Sequence, residues 1–366
     1  MKQPVSACIM TKNEQDSIGI CIDSINPYVE EIVVLDTGSE DSTVDIALAK
    51  GAVVNKTVWR NDFSMIRNEL IKLAKQPIII MIDADEVVIP NQGWAFENTC
   101  KRLLKDNSLV GKIGILNETD DNGVISASIS RIFSKNSGVF YKGIIHEQID
   151  CSDKKLNFIQ TDIVMSHSGY LKNKILANKK YDRNLTLLFK ELDKNNKDSY
   201  IHFQIGRTYS AAGIDDKALF HLSKAYKFSN REQAYHSTLI QTYGWALLKN
   251  KKITELFELL QVGIEQYHDY TDLYFLYGCT LVELRSAEFA HLIPDIFLTC
   301  IELGEPDPRK YESVLGVGSY KARYNLGLYY ELTGQIDKAL IEYRISAEAG
   351  FTPAIERLNK ISVGRK

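Results

Sequence analysis

The chain has 366 residues, 45% of them hydrophobic and 25% charged, which is typical of a globular protein and excludes disordered, collagen-like and coiled-coil chains. At roughly 100 to 200 residues per domain, this length predicts two domains. The 44 Lys and Arg against 47 Asp and Glu give a net charge of −3, which excludes a broad basic surface for nucleic acid.

The hydrophobic segments and the cysteines predict where the protein works. The longest aliphatic run, Ile78 to Ile82, is far shorter than the roughly 20 residues that cross a bilayer, and the N-terminus has no apolar signal region. The six cysteines form no C-x-x-C pair, so we expect reduced thiols without zinc or disulfides. We therefore expect a cytoplasmic protein without an integral membrane segment.

The N-terminal part alternates short β-branched runs with helix-like segments. This pattern predicts an α/β fold with a mostly parallel, Rossmann-like sheet. Ser42 has capping-box spacing before one helix, and Ile66, Leu70 and Leu73 lie on one face of another within 64–75. The predicted strands are Val5 to Met10, Glu31 to Asp36, Ala52 to Asn55 and Ile78 to Asp83.

After Lys105 the strand-like pieces follow one another with Asn, Gly and Ser turns between them, which predicts a less parallel part of the same domain. These strands are predicted at Ile113 to Asn117, Val124 to Phe133, Val139 to Glu147 and Ile163 to His167.

The C-terminal part shows internal repetition and helical periodicity. The run Ile205-Gly-Arg-Thr-Tyr, followed by Asp216-Lys-Ala-Leu, recurs as Leu326-Gly-Leu-Tyr-Tyr, followed by Asp337-Lys-Ala-Leu. In each copy the glycine precedes the alanine by 12 residues, which suits two antiparallel helices that touch at the glycine. These residues resemble tetratricopeptide repeats, with an insertion from Gly304 to Gly318.

We therefore predict two domains, an α/β domain over residues 1–171 and an all-α repeat domain over 172–366. A repeat domain of this kind offers a concave surface for an acceptor peptide, and it can also support a homodimer. A helical array that serves stability alone is the alternative.

The run Ile78-Ile-Ile-Met-Ile-Asp-Ala-Asp-Glu86 places two carboxylates directly after an apolar strand. Ligands of open α/β sheets bind beyond the carboxyl ends of the strands, so Asp83 and Asp85 are expected at the binding crevice. Carboxylates that hold Mg²⁺ or Mn²⁺ against a diphosphate are the usual arrangement for such cations. A solvated acidic loop is the alternative interpretation.

A second acidic residue, Asp36, also ends a predicted strand, in the segment Asp36-Thr-Gly-Ser. One interpretation is turn and cap chemistry, since Gly38 permits a tight turn and Ser39, Asp41 or Ser42 can cap the following helix. The other is that Asp36 accepts a hydrogen bond from a nucleotide base, with Thr11 and Asn13 lining the same crevice.

Several segments together resemble the inverting GT-A-type family 2 glycosyltransferases over roughly residues 5–170. The segments that carry the resemblance, in family order, are Asp36-Thr-Gly-Ser, Trp59-Arg-Asn-Asp-Phe-Ser, Arg67-Asn, Asp83-Ala-Asp-Glu, Arg131-Ile-Phe, Gly143-Ile-Ile-His-Glu and His167-Ser-Gly-Tyr. With a helical-repeat C-terminus, the chain is similar to the sublancin-type peptide S-glycosyltransferases and to related flagellin and lipopolysaccharide-core transferases.

The resemblance implies roles for individual residues. Asp36 would contact the uracil of a UDP-sugar, Asp83 the ribose and the metal neighbourhood, and Asp85 the metal itself. Arg67 would contact the diphosphate, which its planar fork suits; a surface salt bridge is the alternative. His167 would add a metal ligand, although a histidine at a strand end is often merely hydrogen-bonded.

Inverting transfer needs a base that removes the proton of the acceptor. Glu147 is the first candidate and His146 the second, and because successive strand residues face opposite sides, we expect only one of them to enter the site. A structural histidine beside a solvated glutamate is the alternative. A cysteine acceptor would need less help, because it carries some thiolate near neutral pH.

The predicted function is the metal-dependent, inverting transfer of a hexose, glucose or N-acetylglucosamine, from a UDP-sugar to a Cys, Ser or Thr of a peptide or protein. One alternative is a lipid or lipopolysaccharide-type acceptor. Another is a repeat scaffold or regulator that binds nucleotide sugar through its glycosyltransferase-like domain without efficient turnover.

Overall fold

The computed structural model describes residues 1–118, 123–167 and 174–364. The chain forms two compact units, Met1–Asn196 and Lys197–Lys366. The boundary expected at 171/172 lies outside the described residues, and helix α5 (Lys174–Leu192), expected in the second domain, belongs to the first unit. No helix within the described ranges is long and apolar enough to span a bilayer.

A mixed sheet in the order β3-β2-β1-β4-β7-β6-β10-β5 organises the first unit. Its first four strands are parallel neighbours and match the predicted strands to within two residues at either end. Their bounds are β1 (Gln3–Thr11), β2 (Val29–Asp36), β3 (Val53–Lys56) and β4 (Ile78–Asp83).

The later strands make the sheet mixed, as the sequence predicted. β7 runs antiparallel to both β4 and β6, while β10 is parallel to β6 and antiparallel to β5. The bounds are β5 (Glu86–Val88), β6 (Leu109–Glu118), β7 (Val124–Ser134) and β10 (Asn157–His167).

The strands predicted from Ile113 and from Ile163 begin earlier, at Leu109 and Asn157, and the single strand predicted from Val139 to Glu147 is wrong. Instead of a strand from Val139 to Glu147, a short hairpin is formed by β8 (Val139–Lys142) and β9 (Gln148–Cys151), with a turn between them. Gly143, with φ of 96°, and His146, with φ of 50°, adopt left-handed backbone conformations, which a strand cannot contain.

Helices cover the sheet and form where the apolar periodicity places them. In α1 (Ile18–Ile25) the buried residues Ile18, Cys21, Ile22 and Ile25 follow helical spacing. The other helices are α2 (Thr43–Ala49), α3 (Phe63–Leu73) and α4 (Gly93–Lys105). The predicted face of α3 is confirmed, since Ile66 and Leu70 are buried and Leu73 packs against them.

Capping at two of these helices is done by aspartates. The side chain of Asp62 accepts a hydrogen bond from the Met65 backbone N–H at the start of α3 (3.0 Å). Ser42 lies at the N-cap position of α2 but makes no capping bond, and Asp41 accepts from the Thr43 N–H instead (3.0 Å). The capping box predicted around Ser42 is therefore wrong, because the carboxylate one residue earlier satisfies the helix.

The core of the first unit lies on both faces of the sheet. Along β1, Val5, Ala7 and Ile9 face one hydrophobic cluster, while Cys8 faces the other. A strand buried on both faces reads as a continuous apolar run, which explains the sequence of β4. This two-sided burial leaves the strand ends as the place where polar side chains can meet.

The second unit is an array of helices, and the α/β-then-helical fold class is confirmed. The helices are α6 (Ser199–Ala211), α7 (Asp215–Phe228), α8 (His236–Lys249), α9 (Ile253–Gln266), α10 (Thr271–Leu284), α11 (Ile293–Leu303), α12 (Tyr320–Leu332), α13 (Ile336–Glu348) and α14 (Thr352–Gly364), with a two-residue extended segment β11 (Ser313–Val314).

The repeated glycines mark close helix contacts, as the repeat pattern predicted. A Cβ at Gly206 of α6 would lie 2.6 Å from Cγ of Leu222 in α7, and one at Gly327 of α12 would lie 2.6 Å from the Tyr343 ring in α13. The alanines 12 residues later, Ala218 and Ala339, are buried. Each copy is therefore a helix pair that packs at its glycine, like a tetratricopeptide repeat.

Candidate active site

Three polar residues lie at the carboxyl ends of adjacent parallel strands. In the strand register Thr11 of β1 lies opposite Asp36 of β2, and Met10 lies opposite Asp83 of β4. Thr11 and Asp36 are buried, so this edge of the sheet encloses polar side chains. This is where α/β sheets bind ligands.

The loops after β1 and β2 are joined by hydrogen bonds. Asn13, with φ of 55°, donates its backbone N–H to Ser39 Oγ and accepts from the Glu40 N–H through Oδ1, both at 2.8 Å. Asp36 accepts from the N–H groups of Gly38 and Ser39 and from the Ser39 hydroxyl. The Asp36 carboxylate therefore stabilises the turn after β2, as the first interpretation predicted. A contact with a nucleotide base would be made in addition to these hydrogen bonds.

Asp83, which is half-buried, is the centre of a cluster of charged side chains whose arginines are buried. Its Oδ1 accepts from Nη2 of Arg67 (2.9 Å), and its Oδ2 accepts from Nη2 of Arg131 (2.7 Å). Burial alone would raise the pKa of Asp83, but the two guanidinium groups hold it well below its usual value. Asp83 is thus a carboxylate that organises two arginines.

The cluster extends to Glu86 and Glu147. Arg131 donates to Glu86 (3.2 Å), whose other carboxylate oxygen accepts from the Asp83 backbone N–H (2.9 Å). Burial and the neighbouring Asp83 raise the pKa of Glu86 to about 7 against the opposing effect of Arg131. Arg67 Nε donates to Glu147, so one arginine connects the D-A-D segment with the candidate base.

Neighbouring contacts fix Arg67 in this position. The adjacent Asn68 donates through its side chain to the Tyr141 carbonyl (2.9 Å) and accepts from the Tyr141 N–H (2.8 Å), which fastens α3 to β8. The Phe63 N–H at the start of α3 also donates to the Ile144 carbonyl (2.9 Å). These hydrogen bonds therefore hold the helix that carries Arg67 against the turn that carries His146 and Glu147.

The two candidate bases lie in the turn between β8 and β9. Glu147 has only 10% of its side chain exposed. The expectation that His146 and Glu147 face opposite sides rested on strand geometry, which this turn does not have. The observed contact of Glu147 with Arg67 puts this residue beside Asp83.

A second pair, Asp85 and His167, lies next to this cluster. Strand pairing places His167, the last residue of β10, opposite both Asn117 of β6 and Glu86 of β5. His167 Nε2 is 3.1 Å from Asp85 Oδ2, and its Nδ1 is 3.1 Å from Asn117 Oδ1. The hydrogen bond to Asp85 raises the pKa of His167. Burial alone would raise the pKa of Asp85, but the hydrogen bond from His167 and the positive charges of His167 and Lys180 together hold it below its usual value.

The side chains of Asp85 and His167 are suited to bind a divalent cation. Asp85 Oδ2 and His167 Nε2 are both metal-ligand atoms, and Asn117 holds the far ring nitrogen as partners of metal-bound histidines do. Asp83 is turned to its arginines, and the described ranges contain no group of three His, Cys, Asp or Glu side chains that could hold a metal. The pair suits a cation that takes its other ligands from a diphosphate.

Several residues of this site were not predicted from the sequence. Arg131 and Glu86 lie within the segments that resemble the family but were given no role, and Asn117 was not singled out. The available signal was a charged Arg131 directly before the apolar pair Ile132 and Phe133, because a buried arginine needs carboxylate partners. Among the described residues, Nη1 of both Arg67 and Arg131 is buried without a hydrogen-bond partner.

An acid and histidine pair beside two arginines thus lies at the carboxyl edge of a mostly parallel sheet, which is where proteins of the open α/β class bind their ligands. Residues 6–142 match the profile of the family described as Glycosyl transferase family 2. This segment belongs to that family, so the predicted family 2 glycosyltransferase domain is confirmed, and with it the class of enzyme. The expectation of tetratricopeptide-like repeats behind it is confirmed as well.

Relatives cover both units. The chain is 27% identical over 297 residues to the SPbeta prophage-derived glycosyltransferase SunS of Bacillus subtilis, covering 77% of this chain and 68% of the relative. It is 28% identical over 257 residues to a TPR repeat-containing protein of Synechococcus elongatus, covering 68% of this chain and 62% of the relative. The chain therefore spans about two thirds of the length of either relative.

Among solved structures, the chain is similar to YrrB, described as a TPR protein with an unusual peptide-binding site. The TM-score is 0.39 at 18% identity, and the match covers 51% of this chain and 88% of YrrB.

Proposed function

We propose that the protein transfers a hexose, glucose or N-acetylglucosamine, from a UDP-sugar to a Cys, Ser or Thr side chain of a peptide or protein, with inversion and with Mg²⁺ or Mn²⁺. The observation that carries the proposal is the Asp85 and His167 pair (3.1 Å) at the carboxyl end of the sheet in a family 2 domain. We also propose that it works in the cytoplasm and that the repeats permit a homodimer.

The donor would lie over the strand ends. Thr11 and Asn13 would line the nucleotide pocket, and Asp36 would meet the uracil once the Ser39 hydroxyl rotates away from its Oδ1. Asp83 would neighbour the ribose. Since Nε and Nη2 of Arg67 are occupied by Glu147 and Asp83, the buried Nη1 is the nitrogen left for the diphosphate.

Asp85 and His167 would hold the cation, with Asp83 close by. A bound divalent cation supplies Lewis-acid stabilisation to a leaving diphosphate. Arg67 and Arg131 are paired with Asp83, Glu86 and Glu147, so their contribution to the diphosphate would come from the N–H donors of Nη1, which have no hydrogen-bond partner among the described residues.

Glu147 would accept the proton of the acceptor, with His146 as the second candidate. Arg67 positions the Glu147 carboxylate. A thiol acceptor would demand less of the base, because a thiol loses its proton more readily than a hydroxyl does. Glu147→Gln and His146→Gln, compared by the pH profile of transfer, separate the two residues.

The acceptor is proposed as a polypeptide because a repeat unit follows the transferase domain and because the glycosyltransferase relative SunS aligns over 77% of the chain. Tetratricopeptide-like arrays bind extended peptides on their inner surface.

The experiment is a transfer assay with radiolabelled UDP-glucose and UDP-N-acetylglucosamine and a mixture of cytoplasmic polypeptides and lipids. We expect label in precipitated polypeptide with the wild type and with Asp153→Asn, an exposed carboxylate of the same unit, and none with Asp85→Asn. Label confined to the organic extract would contradict the polypeptide acceptor, and equal transfer by Asp85→Asn would contradict the role of Asp85.

A further inference from the structure

The insertion of residues 304–318, here called the strap, is a closed loop between α11 and α12. Its ends meet so closely that a Cβ at Gly318 would lie 2.0 Å from the Gly304 carbonyl. The Glu305 carboxylate accepts from the Gly316 N–H (3.0 Å) and from the Ser319 hydroxyl (2.5 Å). The strap is thus an ordered Ω-type loop, a kind of loop that is often functional.

The middle of the strap lies on helices of earlier repeats. Arg207 of α6 makes a bidentate ion pair with Glu312, with Nη2 at 2.6 Å and Nη1 at 3.1 Å from its oxygens. Tyr270, directly before α10, donates its hydroxyl to the Glu312 carbonyl (2.5 Å). Because α8 contacts both α6 and α10, the strap crosses the face formed by the first helices of successive pairs.

The next strap residues are bound as an extended chain. Asp272 of α10 accepts from the Ser313 hydroxyl through Oδ2 (2.6 Å) and from the Val314 N–H through Oδ1 (3.1 Å). Both Asp272 and Ser313 are buried. A carboxylate that accepts one hydrogen bond from a backbone N–H and one from a side-chain hydroxyl selects a Ser or Thr in an extended peptide.

An aromatic contact precedes these polar ones. The Tyr311 ring stacks on Tyr270 with centroids 4.3 Å apart and planes within 10°, and its hydroxyl donates to Asp269 (2.5 Å). In chain order the helices therefore bind an aromatic ring, a carboxylate and a hydroxyl. We call Arg207, Asp269, Tyr270 and Asp272 the reading residues.

We propose that the reading residues form a docking surface for an extended peptide with the order aromatic, acidic, hydroxyl-bearing, and that the strap is its internal occupant, which such a peptide replaces. Peptide binding itself is independent of the proposed transferase activity; only the description of the peptide as an acceptor rests on that activity. A tethered occupant has an effective concentration in the range of about a millimolar, so it excludes weak competitors.

The test uses a fluorescent peptide with the sequence of residues 304–318, the full chain and two variants that break the same ion pair. Glu312→Gln loosens the strap and leaves Arg207 available to the carboxylate of the peptide. Arg207→Gln loosens the strap equally but removes the reading guanidinium. We expect Glu312→Gln to bind the peptide about tenfold more tightly than both the wild type and Arg207→Gln, as for a charge-assisted bidentate contact.

Hydrogen exchange of the Val314 amide reports release of the strap, and we expect faster exchange in both variants. Tyr311→Leu is a second strap variant that leaves every reading residue in place and should also increase peptide binding. Equal peptide affinity of Glu312→Gln and Arg207→Gln, or unchanged exchange of the Val314 amide in both, overturns the proposal.

Binding of UDP-sugar measured on the same samples separates the two proposals. We expect it to be the same in the wild type and in all three variants. Loss of nucleotide binding in every sample, with the predicted order of peptide affinities intact, would contradict the proposed function and leave the docking surface standing.

Discussion

Asn117 contacts the imidazole of His167, the residue that we propose as a metal ligand. Its Oδ1 lies 3.1 Å from His167 Nδ1, and an amide oxygen at that position favours the tautomer whose Nε2 lone pair is available to a cation. Asn117 is therefore a positioning residue for His167.

We expect Asn117→Ala to weaken Mn²⁺ binding by about 10- to 100-fold, the usual effect of removing a partner behind a metal-bound histidine. Titration of Mn²⁺ followed by electron paramagnetic resonance measures the affinity, and ¹⁵N NMR of the imidazole reports the tautomer. Asn136→Ala, at an exposed position, is the control. An unchanged tautomer and affinity would mean that Asn117 is only a structural neighbour.

Arg131 has a larger structural role, because its side chain is 8% exposed and that of its partner Glu86 is 5% exposed. Arg131→Met leaves the buried Glu86 without its guanidinium partner, and it leaves Asp83, whose side chain is 34% exposed, with Arg67 alone. We expect the free energy of unfolding to fall by about 3 kcal/mol or more, since breaking a buried ion pair strands a charge.

Urea denaturation measures this loss. Lys101→Met, which breaks the exposed pair with Glu97, is the matched control, and its effect should be below about 0.5 kcal/mol. Similar losses in the two variants would contradict the account of the buried cluster.

At the scale of elements, the helix pairs depend on glycine at the contact point. An alanine at Gly206 would place its Cβ 2.6 Å from Cγ and 2.8 Å from Cδ2 of Leu222. We expect Gly206→Ala to lower the free energy of unfolding by about 1 to 2 kcal/mol, because overpacking outweighs the better helix propensity of alanine.

Gly93→Ala provides the comparison, since a Cβ there meets nothing within 4 Å. It should be neutral or stabilise the protein by up to about 1 kcal/mol. Thermal unfolding measures the stability of both variants. An unchanged stability of Gly206→Ala would contradict the account, because it would mean that α6 and α7 can move apart without a loss of free energy.

The strap gives its unit a pH dependence through Asp272. Burial, aided by Glu305, raises the pKa of Asp272 to about 7 against the hydrogen bonds from Ser313 and Val314. The folded state thus binds this proton more tightly than the unfolded chain, in which the pKa of aspartate is about 3.9. The stabilisation by this group is largest below about pH 4 and is lost as the pH rises to about 7.

We expect the wild type, compared with Asp272→Asn, to lose on the order of 1 to 3 kcal/mol of unfolding free energy between about pH 5 and about pH 8. Denaturation at a series of pH values gives this difference directly. A constant difference between the two proteins across that range would contradict the raised pKa.

Strands and helices were predictable from the sequence where a local pattern of residues determines them. The strands of the first half follow from apolar runs, and the helix pairs follow from the spacing of Gly206 and Ala218. The turn at 143–147 was not predictable, because His146 adopts a left-handed backbone conformation, which is uncommon for a residue other than glycine. The cap of α2 went to Asp41 rather than Ser42, since both residues have the right chemistry and only geometry selects one.

The candidate site was predictable only in part, because some of its residues follow a local sequence pattern and others do not. Acidic residues that end buried strands mark the crevice, so Asp36, Asp83 and Asp85 could be placed there. Which carboxylate meets an arginine and which meets His167 depends on partners far away in sequence, such as Arg131 in β7. Pairing over such distances is a property of the assembled sheet and leaves no local pattern.

At the scale of the whole molecule, the protein joins a family 2 glycosyltransferase domain to an array of helix pairs. The first unit carries the site in which Asp85 and His167 are paired, and the second carries the reading residues. Each unit has its own core, and the proposed donor site and the proposed docking surface lie in different units, so donor and peptide binding can be measured separately on the full chain.

The most direct test of the account is isothermal titration of UDP, UDP-glucose and UDP-N-acetylglucosamine into the wild type, Asp85→Asn and the control Asp153→Asn, each with Mn²⁺ or with chelator. The account predicts binding that needs Mn²⁺ in the wild type and in Asp153→Asn, and that is weaker by more than about tenfold in Asp85→Asn. Equal binding by all three proteins, with or without Mn²⁺, would contradict it.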